Sequence, residues 1–449
     1  MSTDRHPKGL YVLFATEMWE RFSFYTMIAL FTLYLSDPKD GFGWSKADAT
    51  GLYANYLMFV YASPLIGGWI ADKKLGFRKT ITIGGIFFIF GHVLLAFPSE
   101  FALYSALTCL VVGNGCFKPN ISSMVGNLYP PGSPLRDSAY NIFYMGINIG
   151  AALAPVVAEG VRQRFGFHPA FVVAGGGMVI GMIIFWSFQK WLAAADKGPK
   201  QNAIDSAINH ELDKPVSALD GIPEWRRITA LIVVFLIVIV FWMAFHQNGS
   251  TLTYWADKNT DWASDRILPT LISIFTLGMV SGKDVSGVIS NAINPFWIVT
   301  LSYPLSLLWP WLNKRKLEPS TPAKMAIGIL LSGFAFLLLY FGGLAGGDTG
   351  KVSPWWIVIF YFILSLGELL LSPMGLSLVS KVAPVRLKGV MMGGWFVATA
   401  IGNKLTMIGK YWDVWPHSQF FLLLASILFG ASTLLFLLLR PLKKAMPGV

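Results

Sequence analysis

Glu17, Glu20 and Arg21 stand within about one turn of each other, inside an apolar run from about Leu10 to Leu35. Offsets of three and four place all three on one face of a helix, within mutual reach. An ionisable group at bilayer depth costs roughly 2.5–3.5 kcal/mol on insertion scales. Three on one turn therefore require a water-filled cavity or partners of opposite charge. A structural ion pair between Arg21 and one glutamate is the plainer alternative. It leaves one carboxylate over, a proton acceptor in a pathway, so proton coupling through Glu17, Glu20 and Arg21 is expected.

The other ionisable groups in apolar segments are few: Lys118, His246, Glu368 and Lys404. Each is a functional candidate by default. His92, alone among apolar neighbours, is expected to be a packed, hydrogen-bonded histidine. Uncharged groups suited to a solvated cavity accompany them: Tyr25, Asn55, Tyr61, Asn114, Tyr144, Asn148, Gln247, Asn291, Asn294 and Ser372, with Trp395 as an aromatic wall. The first half holds Glu17, Glu20, Arg21 and Lys118; the second holds His246, Glu368 and Lys404. Bases in one wall and an acid in the other suit a zwitterion. The six histidines are scattered, with no HExxH and no GxSxG, so neither an enzyme nor a metal or other cofactor is expected. Cys109 and Cys116 imply neither a disulfide framework nor a redox motif.

Of 449 residues, 54% are hydrophobic and 13% charged, about half the usual charged share of soluble domains. The chain reads as an all-α integral membrane protein with twelve spanning segments. These run over 10–35, 49–71, 80–98, 101–125, 138–160 and 169–192, then 228–256, 289–312, 322–344, 354–380, 387–410 and 418–440. The implied organisation is a six-helix bundle over 1–192, a cytoplasmic linker over 193–227 and a second bundle over 228–449. The linker has room for a short amphipathic helix around 203–212 but not for an extra helix pair. An insert at 257–287 carries an apolar patch, Ile267–Val280, too short to cross; it is expected to lie at the interface or on the bundle. The net charge of +11 is not a nucleic-acid signal, because the bases fall in loops. Their bias (Lys73, Lys74, Arg78 and Lys79; Lys314, Arg315, Lys316 and Lys324; Lys381, Arg386 and Lys388) puts both termini in the cytoplasm of a cell inner-membrane protein. The short polar start has no cleavable signal pattern, so the first helix is retained.

The run Gly67–Lys79 resembles the loop signature of the major facilitator superfamily, with Gly68 for close helix contact, Asp72 near a helix end, Gly76 for a tight turn, and Arg78 and Lys79 as charge to be neutralised. Two six-helix bundles with a central site between them belong to that plan. Longer motifs narrow the resemblance. Glu17-x-x-Glu20-Arg21-Phe22-x-x-Tyr25, Phe117-Lys118-Pro119-Asn120, Phe143-Tyr-Met-Gly-Ile-Asn148-Ile-Gly150, Asn294-Pro295, and Gly367-Glu368 followed by Ser372-Pro-Met-Gly-Leu376 are similar to those of the proton-coupled oligopeptide transporters. The resemblance implies import of di- and tripeptides by alternating access, with the proton as coupling ion, the lipid bilayer as surroundings and a monomer as the unit. By family role, Arg21 and Lys118 would hold the peptide carboxylate and Glu368 the amino terminus. Asn148 and Asn294 would bond the backbone, Tyr25, Tyr61 and Ser372 would shape the cavity, and Trp395 would line a side-chain pocket. Without peptide, Lys118 and Glu368 would form a gate pair.

Three features depart from the pattern. Phe24 replaces the first of two tyrosines that often end the helix 1 motif. The stretch 193–227 lacks the two helices many bacterial members insert. Ile28 and His246 stand where a helix 1 arginine and a helix 7 acid often pair, leaving His246 as a possible further site residue, as is Asn291. Transport of another small substrate, such as nitrate or a peptide-like drug, is the alternative; nitrate alone gives Glu368 no ammonium partner.

Overall fold

The computed structural model describes residues 6–130, 135–196, 221–278, 280, 285–384 and 387–447. Among these the regular structure is helical, with one isolated parallel bridge between Thr260 and Val352. The long helices are α1 (Lys8–Ser36), α2 (Lys46–Ile70), α3 (Phe77–Leu94), α4 (Glu100–Asn127), α5 (Leu135–Phe165) and α6 (Phe167–Ser187). They continue as α7 (Glu224–Phe245), α8 (Ser290–Lys314), α9 (Thr321–Ala345), α10 (Trp355–Val382), α11 (Lys388–Leu405) and α12 (His417–Ala445). A helix satisfies its own backbone groups, which is what an apolar run needs in lipid.

Eight helical stretches among the described residues are long and apolar enough to cross a membrane: α3, α4, α5 from Ser138, α6, Glu224–Lys258, α9, α10 and α12. With 29 residues, α1 has the length. Glu17, Glu20 and Arg21 in its middle break up its apolar run. Most of the expected linker, with the short helix around 203–212, lies outside the described residues, as do Arg5 and Arg386.

Packing divides the chain into two units. The first comprises Met1–Gly43, Phe59–Lys214 and Phe275–Val280; the second comprises Trp44–Met58, Pro215–Ile274 and Ser281–Val449. Within the first, α1 lies against α5 and α6, and α3 against α4 and α6. Within the second, α9 packs on α10 and α12, α7 on α11 and α12, and α8 on α10.

Small residues set the closest approaches. A Cβ on Gly67 of α2 would collide with the carbonyl of Gly115 on α4, whereas one on Gly68 would meet only Pro119 Cβ at 3.8 Å. The tight contact therefore belongs to Gly67 rather than to the Gly68 expected from the loop signature. Pro119 explains why that carbonyl is available: it has no N–H to give back to Gly115 four residues earlier. Asn120 closes the seam, donating from Nδ2 to Cys116 O at 2.7 Å and to Gly67 O at 3.3 Å. After α2 a π turn, Ala71–Leu75, ends on Gly76 at φ +77°, whose N–H bonds Ala71 O. That left-handed backbone favours glycine. Arg78 then meets Asp196, its backbone N–H donating to Oδ1 at 3.1 Å and its Nε lying 3.7 Å from Oδ2.

Two helices break where an unbroken segment is expected. After Phe245, α7 becomes a 3-10 turn, His246–Gly249, and resumes as a short helix, Thr251–Lys258. Beyond Leu405, α11 continues as a 3-10 stretch, Thr406–Tyr411. Gln247 bridges the two breaks. Its Nε2 donates to Met243 O at 3.3 Å and to Thr406 O at 3.2 Å, and its Oε1 accepts from the Thr251 hydroxyl at 2.9 Å. In the insert, Ile267–Phe275 is helical, started by Asp265 Oδ1 accepting from the N–H groups of Ile267 and Leu268. Those backbone bonds, led by that from Leu268, and the Trp355 indole N–H hold the Asp265 carboxyl below its usual range. The exposed side of this stretch presents Ile267, Leu271, Ile274 and Leu277.

Candidate functional site

In the first unit the helix 1 trio is almost sealed: Glu17, Glu20 and Arg21 are 1%, 0% and 2% exposed. Arg21 Nη2 donates to Glu20 Oε1 at 2.7 Å, and Nε donates to the other oxygen of Glu20. Nε also lies 3.2 Å from Glu17 Oε1. The second oxygen of Glu17 is buried and has no hydrogen-bond partner. Both carboxylates thus share one guanidinium, and Glu17 holds the lesser part of it. Arg21 also reaches Asn114 Oδ1 at 3.5 Å, and its Cζ stands 5.0 Å from the Phe24 ring centroid. The phenylalanine that replaces a tyrosine is thus a cation–π face for this arginine. Asn114 in turn donates to Val60 O at 2.7 Å, tying α4 to α2.

Lys118, on α4, is half-buried, with Nζ 4.7 Å from the Tyr61 ring centroid. Tyr25 is half-buried as well. On α5, the glycines of the helix 5 motif serve packing. A Cβ on Gly146 would lie 3.0 Å from Phe14 O, and one on Gly150 would collide with α1 at Met18. Asn148, 7% exposed, donates from Nδ2 to Tyr144 O at 2.9 Å. Its carbonyl oxygen is left for other use.

The second unit holds the acid. Asn294 of α8 donates from Nδ2 to Glu368 Oε2 and to Ser365 Oγ, both at 2.9 Å. Ser365 and Glu368 are three residues apart on α10, one face of the helix. Ser365 is fully buried. It was not among the expected site residues, although its spacing from Glu368 was a readable signal. Ser372 lies one turn further along α10, half-buried. Asn291 donates to Thr253 Oγ1 at 3.0 Å. His246 stacks on Trp242 at 5.5 Å, and its carbonyl accepts from the Tyr53 hydroxyl at 3.3 Å. Trp395 is 3% exposed, edge-on to Phe235 of α7 at 6.1 Å, with its ring over Gly375 of α10. Lys404 donates to Asn55 Oδ1, and Lys46 pairs with Asp413 at 2.8 Å.

The chemistry of the two groups differs. The first offers N–H donors, an arginine and a lysine, beside two carboxylates. In the second, Asn294 has committed its amide hydrogens, so the group offers oxygen acceptors beside an acid. Among the described residues no cluster of three or more potential ligands could hold a metal ion.

The model of the POT family matches residues 78–212 and 206–411. An uncharacterised transporter, YclF, of Bacillus subtilis is 33% identical, the match covering 99% of this chain and 96% of that one. A di-/tripeptide transporter of Lactococcus lactis is 31% identical over 99% of this chain and 97% of its own. Among solved structures, a mutant of the peptide transporter POT in complex with alafosfalin superposes with a TM-score of 0.85 at 31% identity, covering 100% of this chain and 97% of that one. With a family model matched over most of its length and relatives of this similarity spanning nearly all of it, the chain belongs to the POT family.

Proposed function

We propose that this POT-family transporter imports di- and tripeptides together with protons by alternating access. The observation that carries the reading is the pair of opposite groups: N–H donors on Arg21 and Lys118 in one unit, acceptors on Glu368 and Asn294 in the other. A zwitterionic peptide needs both, and a guanidinium suits a carboxylate. Similarity to di-/tripeptide transporters over almost the whole chain supports the same substrate class. In this reading Arg21 and Lys118 take the carboxylate and Glu368 takes the ammonium. Asn148 and Asn294 bond the backbone, Tyr25, Tyr61 and Ser372 shape the space, and Trp395 backs a side chain. Glu17 and Glu20 exchange protons: protonating one releases Arg21 for substrate.

The membrane plan proposed with it is twelve spans with no added helix pair, both termini cytoplasmic, in the plasma membrane, as a monomer. Eight apolar helices and the basic loops support the plan. Counterflow of a labelled dipeptide in proteoliposomes, with and without an inward proton gradient, tests the function. Peptide exchange without a gradient and accumulation with one are expected. Exchange of nitrate but not of peptide would replace the reading with anion transport.

A further inference from the structure

His92 is a buried imidazole that the transport chemistry above does not use. It sits on α3, fully buried, with Nε2 2.7 Å from Ser23 Oγ on α1. Ser23 follows Arg21 by two residues and Glu20 by three. α3 itself packs on α4 and α6. The ring reaches α1 past Gly175 of α6, where a Cβ would lie 3.2 Å from His92 Cβ. Nδ1 is buried without a hydrogen-bond partner. An unpaired lone pair is tolerated more readily than an unpaired N–H, so the tautomer that fits donates from Nε2 to the serine.

What the bond does follows from the surface beneath α1. There α6 presents Gly177 and Gly181. A Cβ on Gly177 would press on Phe22 at 2.7 Å, and one on Gly181 would meet Trp19 Cβ at 3.2 Å. A glycine surface brings helices close, but it has no side chains to resist rotation of the helix lying on it. Rotation matters here, because each residue of α1 turns by about 100° about the axis. The His92–Ser23 bond supplies a fixed direction, on the turn that carries Glu20 and Arg21. The same ring is near-parallel to Phe88 at 6.4 Å, and Phe88 stands edge-on to Phe117 at 6.1 Å. Phe117 directly precedes Lys118.

We propose that His92 is a positioning residue, whose hydrogen bond to Ser23 sets the rotation of α1 and so the aim of Arg21. The consequence for substrate rests on the carboxylate-binding role proposed above; the rotation itself does not. The test uses the full chain with Cys109→Ser and Cys116→Ala, where Tyr25→Cys reports the turn of α1 through its labelling rate by a charged methanethiosulfonate. His92→Phe and Ser23→Ala are each expected to change that rate by about fivefold, the scale of one hydrogen bond. The double variant should change it no further, and His92→Gln, with an amide N–H of similar reach, should restore it. In the transporter with Tyr25 intact, His92→Phe and Ser23→Ala should weaken the preference for a free-carboxylate dipeptide over its amide. Unchanged labelling in folded Ser23→Ala protein, or additive effects in the double variant, would overturn the proposal whatever the substrate. Shifted labelling in a transporter whose unaltered form does not distinguish acid from amide would support it, and would remove the carboxylate role of Arg21 instead.

Discussion

Asn294 Nδ2 lies 2.9 Å from Glu368 Oε2 and also 2.9 Å from Ser365 Oγ, so both amide hydrogens are committed. An ionised carboxylate accepts only, which fixes the way the amide is turned. Asn294 Oδ1 and the second Glu368 oxygen then remain as neighbouring acceptors. Ser365→Ala frees the amide to rotate. Affinity for dipeptides with a free amino group is expected to fall about two- to tenfold, the worth of a neutral hydrogen bond. Competition binding with free and N-acetylated dipeptides measures it, and equal losses for both would refute the fixed amide.

Glu368→Gln keeps the shape and removes the charge. Hydrogen bonds to charged groups are worth about 1.5–3 kcal/mol, so free-amine dipeptides should bind about 10- to 150-fold more weakly. N-acetylated peptides should change little. If the unaltered protein binds free and acetylated peptides equally, Glu368 does not hold the amino terminus.

At the helix 1 trio, Glu20 engages both Nε and Nη2 of Arg21, while Glu17 shares Nε alone. A substrate carboxylate seeking the same two-pronged edge of the guanidinium must displace Glu20. Glu20→Gln, which mimics the protonated acid, is expected to abolish proton-driven accumulation while sparing peptide exchange down a gradient. Undiminished uphill uptake in that variant, followed with a labelled dipeptide in proteoliposomes, would exclude Glu20 from coupling.

Gly67→Ala and Gly68→Ala make a matched pair. The first drives a methyl into the Gly115 carbonyl; the second meets Pro119 at ordinary van der Waals distance. Overpacking typically costs about 1–3 kcal/mol, so Gly67→Ala should lower Tm in detergent and Gly68→Ala should leave it nearly unchanged. Equal shifts would mean that the α2–α4 seam is not the constraint.

How far the sequence could be read depended on the kind of feature. Helices such as α9 and α10 were legible because apolar runs of spanning length have few alternatives in lipid. Glu17, Glu20, Arg21, Lys118 and Glu368 stood out because charge at such depth is costly. Ser365 was not singled out, since a serine in an apolar helix more often bonds its own backbone. The division of Arg21 between two glutamates depends on rotamers that spacing does not specify. The breaks after Phe245 and Leu405 were missed because each lies within a segment of spanning length; the polar run His246-Gln-Asn-Gly-Ser250 was the readable signal for the first.

Gln247 joins those two breaks with one side chain. In a medium without water to take over, the Gln247 amide is satisfied only by these contacts, with Met243 O, Thr406 O and the Thr251 hydroxyl, so pulling the two breaks apart would leave a buried amide unpaired. The segments beyond the two interruptions are therefore pinned to each other through one side chain. Gln247→Leu should unlink them. Spin labels at Lys258 and Tyr411 would then give a broadened distance distribution, where a single rigid link gives a narrow one.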